Sequence, residues 1–161
     1  MEFRVLGPDD LAHMHSMLSL FGRAFGDSDT YESSRPDDTY LAELLGSPGF
    51  LAVAALHDGC VVGGLAGYVL PKFEQARREV YIYDLAVDES FRRRGVAPGL
   101  INKVRAVAAE RGAWVLYVQA DRDDDPAVAL YSKLGAREEV LHFDIPPHRG
   151  DAADAETLPR N

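Results

Sequence analysis

The period of apolar residues changes several times along the chain, and each change predicts an element. Phe3–Leu6 predicts a short strand. Leu11, Met14, Leu18, Phe21 and Phe25 then fall on one face of a helix opened by Pro8. "GDSDTYESSRPDD" (26–38) breaks the pattern and predicts a loop or broken helix. A second helix turns Tyr40, Leu41, Leu44 and Leu45 inward and stops at Gly46. Phe50–Leu56 and Cys60–Leu70 flank "HDG", a hairpin signal in which Asp58-Gly59 supplies positive φ. "PKFEQARR" loops out to a strand at Glu79–Val87. Ala97, Leu100, Ile101, Val104, Val107 and Ala108 recur at helical spacing until Gly112, and Trp114–Ala120 predicts another strand. Asp125 and Pro126 suit the cap and first residue of a short helix carrying Ala127, Leu130, Tyr131 and Leu134 on one side. Gly135 ends it, and Arg137–Ile145 predicts a closing strand.

The order β α α β β β α β α β describes an α/β (α+β) domain over residues 1–146. Its sheet is mixed and mostly antiparallel, with parallel pairing around the strand–helix–strand near residue 95. The remaining residues, 147–161, lack apolar periodicity and are expected to form a flexible tail.

Composition narrows the class. With 161 residues, 47% of them hydrophobic, one soluble domain can bury a real core. The apolar runs are too short to span a bilayer, and the N-terminus lacks a secretory layout, so a cytoplasmic protein without membrane contact is expected. The single cysteine, Cys60, excludes an internal disulfide, suits a reducing compartment and is expected to pack as a small buried hydrophobe. His13 and His15 point different ways on a helix, and no histidine pair has ligand spacing, so no metal is expected. A net charge of −9 disfavours nucleic acid and suits a cationic partner.

Against this acidity, Arg92, Arg93 and Arg94 stand together before Gly95, between a strand and a helix. A helix N-terminus offers unpaired N–H groups and a dipole that favours anions. Gly95 permits close approach, small Ala97 and Gly99 keep the first turn open, and the arginines add charge; together they read as a pyrophosphate cradle. Neither the Rossmann nor the P-loop fingerprint is present.

The R-x-x-G-x-A of Arg92, Gly95 and Ala97, after a strand ending "DLAV", resembles the acetyl-CoA signature of the GNAT N-acetyltransferase superfamily. "DDDPAVALYSKLGA" (123–136) is similar to a later helix of that superfamily, and the order and spacing of the two blocks match. "LFGRAFGD" (20–27), "YVLPKFEQ" (68–75), "YIYDLAV" (81–87), "YVQADRDDDPAVALYSKLG" (117–135) and "REEVLHFDI" (137–145) are similar to the type I aminoglycoside 3-N-acetyltransferases. The resemblance implies acetyl-CoA as cosubstrate, seated where Glu79–Val87 and Trp114–Ala120 splay apart. It assigns Leu85, Ala86 and Val87 to the pantetheine arm, and Arg92, Arg93, Arg94, Gly95, Val96, Ala97 and Gly99 to the pyrophosphate. Asp124 and Ala127 would complete the cofactor site; Asp124 stands where the superfamily often has Asn, and an ionised Asp donates no hydrogen bond. A homodimer through an edge strand is compatible with the superfamily.

The chemistry reads forward from there. An ammonium cannot attack a thioester, so a base must take its proton. Asp84, a lone carboxylate between two apolar stretches, is the candidate; its alternative is a structural anchor bonded to backbone or to Tyr81 or Tyr83. By resemblance, Tyr131 protonates the leaving thiolate. Tyr31, Glu32, Tyr83, Asp84, Asp121 and Asp144 are the candidate substrate residues, with the tyrosines stacking on sugar rings. Acetylation of a polyamine or other small amine, and a non-catalytic acetyl-CoA-responsive module that captures polycations, fit the same acidity.

Overall fold

The computed structural model describes residues 1–147, which form two compact units, Met1–Asp121 and the segment from Arg122 onward. The expected tail falls almost wholly outside the described residues.

In the first unit β1 (Glu2–Val5), β2 (Phe50–His57), β3 (Cys60–Pro71), β4 (Arg78–Val87) and β5 (Ala113–Val118) form one sheet in that order. All neighbours are antiparallel except β4 and β5, which are parallel. That is the mixed, mostly antiparallel sheet with one parallel pair that the sequence predicts. Helices α1 (Leu11–Phe25) and α2 (Asp38–Gly46) cover one face, and α3 (Val96–Glu110) covers the other. β2 is apolar at every position from Phe50 to Leu56 because both of its faces are buried. Phe50, Ala52, Ala54 and Leu56 join Met14, Met17 and Phe21 of α1 in one core. The hairpin is as predicted, with Asp58 at φ 50° and Gly59 at φ 78°. Among the described residues no helix is long and apolar enough to cross a membrane.

Several expectations need correction. Pro8 lies in the turn before α1, and the helix is rotated: Met14, Met17, Leu20 and Phe21 are buried while Phe25 is exposed. Tyr40 is exposed too, because Leu41 and Leu45, with Leu44 half-buried beside them, fill the inward stripe of α2. Cys60 opens β3 beside the hairpin and is exposed. The broken helix at 26–38 contains a π-helical turn, Asp29–Ser33, closed by a hydrogen bond from the Ser34 N–H to the Asp29 carbonyl.

The second unit holds α4 (Asp125–Tyr131). Its cap is Asp124 rather than Asp125: the Asp124 carboxylate accepts from the Ala127 N–H at 3.1 Å. Arg137–Ile145 is not a strand. Among the described residues of this unit no second strand offers a ladder, and Val140, Leu141, Phe143 and Ile145 stay 70% to 85% exposed.

Candidate active site

Two features of β4 build the site. First, its parallel pairing with β5 ends at Ile82–Val118, whereas its antiparallel pairing with β3 continues to Val87. Leu85, Ala86 and Val87 therefore have β3 on one side and no strand on the other among the described residues. The sheet opens there, between the two strands that the family resemblance implies splay apart. The Tyr81 hydroxyl donates to the Gln119 side-chain oxygen at 2.9 Å, tying the two strands just before they part.

Second, β4 carries a bulge. Ala66 pairs with Asp84 and Gly67 with Ile82, so Tyr83 is an extra residue without a partner on β3. An uninterrupted strand would turn Asp84 to the same side as Val80 and Ile82, under α3. The bulge resets the alternation and brings Asp84 and Ala86 to the α1 face, where Ala86 joins the α1 core. Gly67 makes this possible, because a Cβ there would lie 2.6 Å from the Tyr81 carbonyl oxygen.

Asp84 is half-buried and accepts a hydrogen bond from the Tyr31 hydroxyl at 2.9 Å. Burial pushes its carboxyl up from the ordinary aspartate range, and the Tyr31 hydrogen bond pulls it partly back. Burial, then the nearby Asp84 charge, raises the Tyr31 phenol, which stays protonated as a donor. Asp84 is thus anchored by a tyrosine, but by Tyr31 rather than Tyr81 or Tyr83. Around it runs a row of aromatic side chains. Tyr83 is 55% exposed and meets Tyr68 and Tyr81 edge-on, with centroids 5.7 Å apart in both pairs. Tyr81 stacks on Tyr117 at 4.9 Å. Tyr68, Tyr117 and Gln119 were not singled out in the sequence. Their alternation was visible, but the register that lines them up with Tyr81 was not.

Tyr31 packs against α1 and points its hydroxyl at Asp84. Its ring meets Phe21 in a T-shaped contact at 5.9 Å and lies tilted against Phe25 at 5.6 Å. Glu32 lies exposed on the same turn, and Asp121 is exposed at the end of the first unit. Asp144 belongs to the second unit, exposed and paired with His142 at 3.0 Å.

The arginine turn also takes shape. Asp88 caps a short 3₁₀ turn (Glu89–Phe91), and Gly95 caps α3 in the left-handed region at φ 80°. Arg93, a non-glycine residue, is also left-handed at φ 57°. Between them the chain curls so that the N–H groups of Arg93, Arg94, Gly95, Val96 and Ala97 have no acceptor among the described residues. This cluster of unpaired donors fits a diphosphate. Two details differ from expectation. The Gly99 N–H donates to the Gly95 carbonyl at 3.0 Å, and a Cβ on Gly99 would overlap the Phe3 ring, so Gly99 serves helix packing rather than the cradle. Arg92 holds the turn itself, its Nε donating to the Val87 carbonyl at 3.2 Å and its guanidinium lying 3.6 Å from Glu89. Arg93 and Arg94 have no carboxylate partner among the described residues, and Arg94 sits over the Phe91 ring at 5.3 Å. In the second unit, Asp124 and Ala127 satisfy each other at the α4 cap, which removes that N–H from any cofactor contact. Tyr131 ends α4; partial burial, then the Asp124 charge, raises its phenol and keeps it protonated.

A groove of about 570 Å³ lies elsewhere, beside the starts of β4 and β5, lined by Arg78 and Arg111 among others. Both guanidiniums donate to backbone carbonyls there, and no reactive constellation faces it.

Residues 14–136 match the family model described as acetyltransferase (GNAT) family. The chain belongs to the GNAT acetyltransferase family. Its members use acetyl-CoA, and this GNAT protein is an acetyl-transfer enzyme. It is 54% identical to an aminoglycoside acetyltransferase from an uncultured soil metagenomic sample, covering 92% of this chain and 100% of that one, with a TM-score of 0.88. A second soil metagenomic aminoglycoside acetyltransferase, solved in complex with sisomicin, is 32% identical over 91% of this chain and 96% of that one, with a TM-score of 0.84. Among characterised sequences, glucosamine 6-phosphate N-acetyltransferase of Trypanosoma brucei brucei is 27% identical over 90% of this chain and 96% of that protein.

Proposed function

We propose that this GNAT enzyme is an aminoglycoside 3-N-acetyltransferase. It transfers acetyl from acetyl-CoA to the 3-amino group of the deoxystreptamine ring within a ternary complex. The observation that carries this reading is Asp84: a half-buried carboxylate whose hydrogen-bond partner is a phenol, with no cation beside it among the described residues, at the opening of the sheet. A cationic amine supplies the missing charge. The surrounding tyrosines suit a sugar-ringed polyamine, and the soil metagenomic relatives act on aminoglycosides.

In the proposed reaction the Asp84 carboxylate takes a proton from the substrate ammonium. The amine nitrogen then forms a bond to the acetyl carbonyl carbon, and the carbon–sulfur bond breaks. The protonated Tyr131 phenol gives its proton to the leaving sulfur. The second proton, shed by the nitrogen as the amide forms, restores the phenol through solvent, and the proton on Asp84 is released to water. Bound acetyl-CoA contributes the activated acyl group; the free β4 edge at Leu85–Val87 would hold its arm. The N–H groups from Arg93 to Ala97, with the Arg93 and Arg94 side chains, would hold its diphosphate. Mass spectrometry and NMR on the product formed from sisomicin and acetyl-CoA test the reading. Acetylation at N3 is expected, with spermidine turned over far more slowly. Product carrying acetyl only at N6′, or no thiol release with any deoxystreptamine, overturns it.

The cradle is tested separately. Replacing Arg93 and Arg94 together by Ala is expected to weaken coenzyme A binding roughly 10- to 100-fold, since each removes a charge-assisted contact. Calorimetry at two ionic strengths is expected to show a shallower salt dependence in the variant.

A further inference from the structure

We infer that Tyr31 is a positioning residue that fixes the Asp84 carboxylate for proton transfer. The inference rests on Asp84 being the base, and adds to it the device that aims it.

The turn carrying Tyr31 is fastened at several points. Gly26 ends α1, and the Asp27 carboxylate accepts from the Thr30 N–H at 3.0 Å. Arg35 reaches back, its Nε donating to the Tyr31 carbonyl at 3.2 Å and its Nη2 to the Ser19 hydroxyl of α1 at 2.9 Å. Phe21 and Phe25 grip the ring. Gly22 leaves α1 bare where the turn lies against it: a Cβ there would stand 3.3 Å from the Tyr31 Cβ and 3.4 Å from the Glu32 Cγ. Held by these contacts, the hydroxyl donates to Asp84 Oδ2 at 2.9 Å. Oδ1 makes no hydrogen bond among the described residues and is left for the amine. An unanchored aspartate would lose part of its rate in wrong rotamers. The titratable groups facing Asp84 are Tyr31 from the turn, Tyr68 from β3, and Tyr81 and Tyr83 from β4; Asp27 and Arg35 lie behind Tyr31.

Tyr31→Phe keeps the ring packing and removes only the hydroxyl. Its loss withdraws a hydrogen bond that favours the ionised carboxylate, so Asp84 titrates at higher pH. Two readouts are taken on wild type and variant: the pH dependence of kcat, and a ¹³C titration of the Asp84 carboxyl, assigned with Asp84→Asn. In Tyr31→Phe, kcat is expected to fall roughly 10-fold with the aminoglycoside KM nearly unchanged. The acid limb and the NMR midpoint are expected to move upward together. Gly22→Ala, which displaces Tyr31 without removing the hydroxyl, is expected to move both in the same direction by less. A folded Tyr31→Phe protein with wild-type limb and midpoint overturns the inference. Wild type that releases no thiol with any aminoglycoside overturns the proposed function instead, while the NMR midpoint still decides whether Tyr31 governs Asp84.

Discussion

Asp84→Asn is expected to lower kcat by roughly 10²- to 10⁴-fold, the range for losing a general base, while the protein melts at the same temperature or higher. The two halves of this expectation have one cause. Burial raises the Asp84 carboxyl above its unfolded value, so between the two the folded protein binds the extra proton. Stability therefore falls as pH rises from the ordinary aspartate range through the folded pKa, and the deficit persists above it. Asparagine has no charge to bury, and its side-chain oxygen still accepts from the Tyr31 hydroxyl. The melting-temperature gap between Asp84→Asn and wild type is expected to open across that window and then stay constant. Thermal melts at a series of pH values, paired with thiol-release rates, check both halves. If activity survives and the variant melts lower, Asp84 is an anchor for the fold and not the base.

How far the sequence carried this picture depended on how local each signal is. The Asp58-Gly59 hairpin, the doubly buried Phe50–Leu56 strand, and Gly95 between strand and helix are written in neighbouring residues. They appear in the structure as read. What the sequence did not disclose lies in pairing between distant segments. The bulge at Tyr83 shifts Asp84 from the α3 face to the α1 face, and nothing near residue 83 announces it. Tyr31 looked like a free aromatic in an acidic loop. Only the packing of that loop on Phe21 and Phe25 turns Tyr31, 53 residues away from Asp84 in sequence, into the partner of the carboxylate. Gly99 and Ala127 illustrate the converse. A small residue or a helix-start N–H looked ready for a ligand, yet Phe3 and Asp124 already claim them. The alternating run Arg137–Ile145 had the composition of a strand but, among the described residues of its own unit, no edge to pair with.

Gly67→Ala is expected to be among the most damaging single-methyl changes available in this sheet. The new Cβ meets the Tyr81 carbonyl oxygen at 2.6 Å and the Ile82 Cα at 3.5 Å. These are main-chain atoms of the adjacent strand, so no side-chain rotation relieves the contact; β4 itself must move. Overpacking of this kind costs about 1–3 kcal/mol, and with main chain as the obstacle the upper end is expected, or roughly 5–10 °C in Tm for a domain of this size. The displaced strand is also the one that carries Tyr83 and Asp84 around the bulge, so kcat is expected to fall even at temperatures where the variant is fully folded. Gly59→Ala supplies the contrast. Its φ of 78° strains an L residue, but no atom lies within 4 Å of the added methyl. It is expected to cost about 1–2 kcal/mol of stability and to leave kcat intact. Stability and activity thus separate at Gly59 and fall together at Gly67, because only Gly67 lies where the sheet turns its carboxylate toward Tyr31. If Gly67→Ala melts and turns over like wild type, the bulge does not set the direction of Asp84.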